Sequence, residues 1–134
     1  MLRSRIIDAV VVASLAAVMT GCGQQYDTLS VKGRVTYDGQ PVPDMIVQFQ
    51  PEEGRASQAG TKADGSFEMV YTIDTMGVEP GKHQVTVSWS PPTDEDGLKP
   101  SELAQKVLDD FKAKGPIEIV VEKPQDSLEI KLPR

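Results

Sequence analysis

From Leu29 onward, apolar and polar residues alternate with a period of two, the pattern of strands that bury one face. Leu29, Val31, Val35 and Tyr37 share one face; Ser30, Lys32, Arg34 and Thr36 share the other. Gly33 falls on the inner face, where a bulge or a close backbone approach is expected. Asp38-Gly39-Gln40-Pro41 predicts a turn, after which Met45, Val47 and Phe49 form the next inward set. Residues 51–59 are polar and read as a loop, and residues 61–65 as a short strand running into an Asp-Gly turn. Phe67, Met69, Tyr71 and Ile73 alternate again. Residues 76–81 hold Gly77, Pro80 and Gly81 and predict a turn. His83, Val85, Val87 and Trp89 then line the most regular strand in the chain.

The rhythm breaks over residues 90–100, where three prolines and the Asp94-Glu95-Asp96-Gly97 run predict a solvated loop. Ser101 is placed to cap a helix, with Glu102 near the positive end of its dipole. Leu103, Val107, Leu108 and Phe111 follow at helical spacing, and Gly115-Pro116 stops the helix. Ile117, Ile119 and Val121 begin one more strand, and Leu128, Ile130 and Leu132 a last one. The expectation is an all-β fold: about seven short strands in a two-sheet Greek-key sandwich, with one short helix (101–114) inserted near the C-terminus.

Ahead of this domain the pattern is different. Arg3 and Arg5 precede an apolar run over residues 6–19, followed by Thr20, Gly21 and Cys22. This is the three-part build of an export signal. The run is short of the ~20 residues needed to cross a bilayer permanently, and it contains Asp8. Residues 19–22, Met-Thr-Gly-Cys, resemble the bacterial lipobox. The resemblance implies cleavage before Cys22, a diacylglycerol on its sulfur and a further acyl chain, such as palmitate, on its freed amine. Several chains anchor stably where one anchors marginally. The competing reading is an ordinary secretory signal followed by a coincidental cysteine. Gly23 stands where an Asp tends to retain such proteins at the inner membrane, which favours the outer membrane. The expected organisation is a lipoprotein signal peptide (1–21) with its signal helix, a tether (22–28) and a sandwich domain (29–134).

Composition narrows the partners. Cleavage would remove 21 of the 134 residues and leave 113, enough for one core without disulfides or metals. The formal charge of −6 becomes −7 once Arg3, Arg5 and Asp8 are gone. Such a domain repels phosphate backbones, which disfavours nucleic acid, and has no polybasic pull toward anionic lipid. The single cysteine excludes an internal disulfide, and its position suggests modification. Aromatic residues make up only 5% of the chain, which argues against a broad stacking platform.

Three stretches carry a family likeness: residues 31–43 (Val-Lys-Gly-Arg-Val-Thr-Tyr-Asp-Gly-Gln-Pro-Val-Pro), residues 61–67 (Thr-Lys-Ala-Asp-Gly-Ser-Phe) and residues 80–87 (Pro-Gly-Lys-His-Gln-Val-Thr-Val). Together they resemble the carboxypeptidase regulatory-like domain of the transthyretin-like group, as found in small bacterial lipoproteins. The likeness covers residues 29–89 well and residues 117–132 more loosely, and the 101–114 helix looks like an insertion. It implies a prealbumin-like sandwich with a non-enzymatic role in folding support, adhesion or binding. The matching residues set turns and fill core, so they mark fold more than activity.

No catalytic constellation accompanies them, and no cofactor is expected. The 5-hydroxyisourate hydrolase of this fold group uses a His and Arg cluster and a Tyr-Arg-Gly-Ser terminus, whereas this chain has one histidine and ends Lys-Leu-Pro-Arg. The histidine count also excludes sandwich dioxygenases, which hold iron by two His and two Tyr. His83 shares a face with Val85 and Val87 and reads as a packed, hydrogen-bonded histidine rather than a ligand or base, which would need partners. Trp89 reads as core, with a sugar-stacking role in a carbohydrate-binding module as the alternative. Asp94, Glu95 and Asp96 lack the spacing of a calcium loop. Asp38-Gly39 and Asp64-Gly65 read as turn pairs rather than metal sites. That leaves Cys22 as the one expected site, with membrane lipid as its partner and an envelope protein or polysaccharide as the partner of the domain.

Overall fold

In the computed structural model, residues 26–134 are described, so Cys22 and the expected signal helix lie outside the described residues. The strands in chain order are β1 (Val31–Tyr37), β2 (Gln40–Pro41), β3 (Met45–Pro51), β4 (Ser57–Gly60), β5 (Ser66–Glu68), β6 (Val70–Thr72), β7 (Thr75–Met76), β8 (Gly81–Trp89), β9 (Ile117–Val121) and β10 (Gln125–Leu132). One helix, α1 (Glu102–Lys114), separates β8 from β9. The chain is mostly β, in two sheets that share one core. Val31, Val35, Met45, Val47, Phe49, Val78 and Val85 are fully buried in it. Burial of each such side chain contributes roughly 1.5–3 kcal/mol.

One sheet runs β10-β1-β2, with β5 also paired to β1. Its central ladder is parallel, Gly33 opposite Leu128 through Tyr37 opposite Leu132, so the first and last strands of the domain lie side by side. The β1–β2 hairpin turns on Asp38 (φ 50°) and Gly39 (φ 76°), the two consecutive left-handed residues that a tight two-residue loop requires. The other sheet runs β7-β6-β4-β3-β8-β9, and its ladders are antiparallel. In its centre Met45, Val47 and Phe49 face inward beside Val85 and Val87, as the alternation predicts.

The structure departs from the sequence pattern in four places. Residues 51–59 are not all loop: Ser57–Gly60 form β4, with Ser57 and Ala59 buried against β3. Residues 61–65, expected as a strand, close a turn of their own, in which Gly65 N donates to Lys62 O (2.8 Å) and Lys62 N to Ser66 O (2.9 Å). The expected strand over residues 67–73 is broken at Met69, whose amide donates to Val31 O while its carbonyl accepts from Gly77 N. Thus β5 stays in the first sheet and β6 crosses to the second, and Ile73, expected inward, is 97% exposed. Finally, Thr36, expected outward, is buried with its hydroxyl facing Glu129.

The helix follows its local signals. Ser101 Oγ accepts from Ala104 N (3.1 Å), and Gly115 ends the helix at φ 84° with its amide bonded to Phe111 O. Ala104, Val107 and Phe111 enter the common core, and the helix contacts β8. Asp110 accepts a hydrogen bond from Tyr37 Oη at the end of β1. The helix therefore joins the two sheets at one end of the molecule.

The inner-face glycine is the tightest point. A Cβ on Gly33 would lie 2.0 Å from Leu128 O and 3.0 Å from Phe67 Cζ, and the β1–β10 register shifts between Val31 and Gly33. Gly33→Ala should therefore destabilise the protein by about 3 kcal/mol, because the obstacle is backbone and cannot rotate away. Ser101→Ala should cost about 1 kcal/mol. Urea denaturation of the two variants measures both, and a Gly33→Ala loss no larger than that of Ser101→Ala would contradict the close approach.

Candidate functional site

Cys22 lies four positions before Tyr26, where the described chain begins. Two residues of the expected tether lie against the domain. The Tyr26 ring meets the Tyr71 ring edge-on at 4.8 Å, and Thr28 Oγ1 donates to Met76 O (2.9 Å). Leu29 and Val78 then exchange two backbone hydrogen bonds of 2.8 and 2.9 Å. Gly77 (φ 105°) permits this contact, since a Cβ there would lie 2.4 Å from Leu29 O. The chain thus enters the fold pinned to the β6–β7 hairpin.

A polar cluster lies behind that entry. Tyr71 Oη donates to Glu79 Oε1 (2.7 Å), and Arg55 sits 6.0 Å over the Tyr71 ring. Gly54 leaves room for the Glu79 carboxylate, which a Cβ would approach to 2.2 Å. The Glu79 carbonyl lies 2.6 Å from His83 Nε2, so that nitrogen carries the donated proton. His83 is 1% exposed, with its ring 5.6 Å from Phe49. Among the described residues, neither His83 Nδ1 nor Ser57 Oγ has a partner. The two atoms therefore do not bond each other, and β3 runs between their strands. A histidine activating a serine needs that bond. His83 is the packed histidine that its strand face predicts.

The remaining candidates are dispersed. Trp89 is half-buried at the core's edge, opposite Met45. Asp94, Glu95 and Asp96 are exposed in the loop between β8 and α1. Asp64 accepts from Ser66 N (3.0 Å) and Ser66 Oγ (2.5 Å), bonds that hold its carboxyl below the usual carboxylate range, so the Asp64-Gly65 pair serves its turn. Among the described residues, no three of His, Cys, Asp and Glu converge as a metal site. An open groove of about 660 Å³ crosses the outer face of the β10-β1-β5 ladder. Two of its three cations are paired, Lys32 with Glu68 at 3.7 Å and Arg34 with Asp64 at 3.9 Å, all about half exposed, and the third is Lys62.

Sequence reasoning singled out His83 but missed its tie to Tyr71 through Glu79. The turn over residues 76–81, which holds Glu79, was legible as a turn, but its link to Tyr71 depends on a neighbouring strand. Comparison with protein-family models, curated proteins and solved structures finds no match for this chain. Among the described residues, no helix is long and apolar enough to cross a membrane.

Tyr37 and Tyr71 have the same electrostatic arrangement. Each hydroxyl donates to a carboxylate, Asp110 and Glu79 respectively, and that bond together with burial raises its pKa above the ordinary value of 10.0. A pKa raised by folding stabilises fully below the unfolded value and is lost as pH rises through the folded one. The urea midpoint should therefore fall as pH rises above about 10. In a Tyr37→Phe/Tyr71→Phe double variant that fall should flatten; an unchanged alkaline slope would contradict the arrangement.

Proposed function

We propose that this chain is a lipid-anchored protein of the bacterial cell envelope. It displays a non-catalytic, transthyretin-like Greek-key sandwich as a binding or structural module. The observation that carries the reading is the closeness of anchor and fold: Tyr26 is already packed on Tyr71 four residues after Cys22. A chain of that length spans at most ~14 Å, so an acylated Cys22 would hold the domain against its membrane. The strand pattern supports the finer fold. With the two-residue β2 and β7 set aside, and β5 and β6 counted as one strand broken at Met69, seven strands remain.

The non-catalytic reading rests on the site geometry. The buried histidine bonds a backbone carbonyl, the buried Ser57 hydroxyl has no base bonded to it among the described residues, and Lys32 and Arg34 in the groove are paired with carboxylates. The partner at the anchor is membrane lipid, with the outer membrane favoured by Gly23. The partner of the domain is an envelope protein or polysaccharide.

Mass spectrometry of the mature N-terminus should show cleavage before Cys22 and a mass increment from acyl chains. Cys22→Ser should move the protein from the membrane to the soluble fraction. An unmodified N-terminus, or unchanged partitioning of the variant, would refute the anchor.

A further inference from the structure

We propose that the β6–β7 hairpin is a second membrane contact, seated in the headgroup region of the bilayer to which Cys22 is attached. The inference rests on the lipid-anchor reading above and adds to it a surface of the folded domain. Six large apolar side chains are exposed among the described residues: Tyr26, Val70, Ile73, Met76, Leu98 and Val120. Four of the six belong to this hairpin or to the segment docked on it. Ile73, at the hairpin tip, is 97% exposed, Met76 45%, Tyr26 38% and Val70 37%. An isolated exposed apolar residue is ordinary, but a cluster on one edge marks a contact surface. Alternation would have turned Ile73 inward; it stands instead with Asp74 in the two-residue turn between Thr72 of β6 and Thr75 of β7, where no described residue covers it.

The occupant follows from where the chain enters. Tyr26 and Thr28 bind this same hairpin, through Tyr71 and the Met76 carbonyl. Cys22 is four residues further back, so an acylated cysteine lies within ~14 Å of Tyr26 whatever path the tether takes. The lipid surface is therefore beside the hairpin before any further affinity is invoked. Charge sets the depth. Asp74 adjoins Ile73 at the tip and Asp27 lies in the entry segment, while Glu79 is engaged by Tyr71 and Arg55 lies over the Tyr71 ring. Two free carboxylates keep the contact at headgroup level, with Ile73 and Met76 reaching the acyl boundary, and favour zwitterionic over anionic lipid. A strand from a second copy is a poorer occupant, because β7 offers only two residues of edge.

The test uses the full chain, extracted from membranes and reconstituted into phosphatidylcholine vesicles with plain or brominated acyl chains. An Ile73→Cys variant carries an environment-sensitive thiol dye, and a Ser127→Cys variant, on the exposed outer side of β10, carries the same dye for comparison. The wild-type chain is treated with the dye in parallel, because an acylated Cys22 has no thiol to react. The expected result is no labelling of wild type, about two-fold quenching of the label at position 73 by brominated lipid, and none at position 127. Equal responses at 73 and 127 with an unreactive Cys22 would overturn the hairpin contact and leave the anchor standing. Quenching at 73 that follows protein density rather than bromination would assign the patch to a second copy and also overturn it. A wild-type chain that takes up dye would remove the anchor, and the contact with it.

Discussion

The domain depends on one side chain being absent. At Gly33 the backbone of β10 comes so close that the carbonyl of Leu128 fills the place of a Cβ. The strands meeting there are the first and the last of the domain, and they run parallel. A parallel pair needs a long connection between its members; here that connection is the rest of the domain. Closing so long a loop is entropically costly. That cost is offset when the core residues on both strands, Val31 and Val35 with Ile130 and Leu132, are buried together. Across the same β1 residues, Phe67 of β5 pairs with Gly33 itself, so a side chain there would disturb three strands at once.

How legible each element was depends on how local its determinants are. The helix was readable because Ser101, the spacing from Leu103 to Phe111 and Gly115 act within a few residues of each other. The strands around Met45–Phe49 and His83–Trp89 were readable because each buries one face along its length. Ser57–Gly60 was not: Ser-Gln-Ala-Gly has no apolar alternation and becomes a strand because β3 supplies four register partners. The break at Met69 was hidden for the opposite reason. Phe67, Met69 and Tyr71 alternate correctly and are all buried, yet they serve two different sheets. Alternation records which side is buried and says nothing about which strand lies alongside.

The same distinction applies to the sites. The expectation at Cys22 comes from its neighbours in sequence alone, since an export signal is a linear pattern. The Tyr71–Glu79–His83 connection and the docking of Tyr26 and Thr28 are tertiary, and neither leaves a periodic trace. Ile73 is the clearest case. Its residue type and spacing both argue for the core, and only the turn back from β6 into β7, which begins at this residue, puts it in solvent.

Polar groups in this sandwich are arranged to complete the fold. Tyr37 ties the end of β1 to Asp110 of the helix, and Tyr71 ties β6 to Glu79 in the turn before β8. His83 then bonds the carbonyl of that same Glu79, so the turn is held through both its side chain and its backbone. The Tyr37 bond thus fastens segments distant in the chain, while those of Tyr71 and His83 fix the turn that leads into β8. A buried polar group left unpaired costs about as much as the bond it lacks, so such ties also select the single packing in which all of them form. The apolar side chains on the β6–β7 hairpin are the exception, since they satisfy nothing inside the fold, and they lie where the chain enters from Cys22.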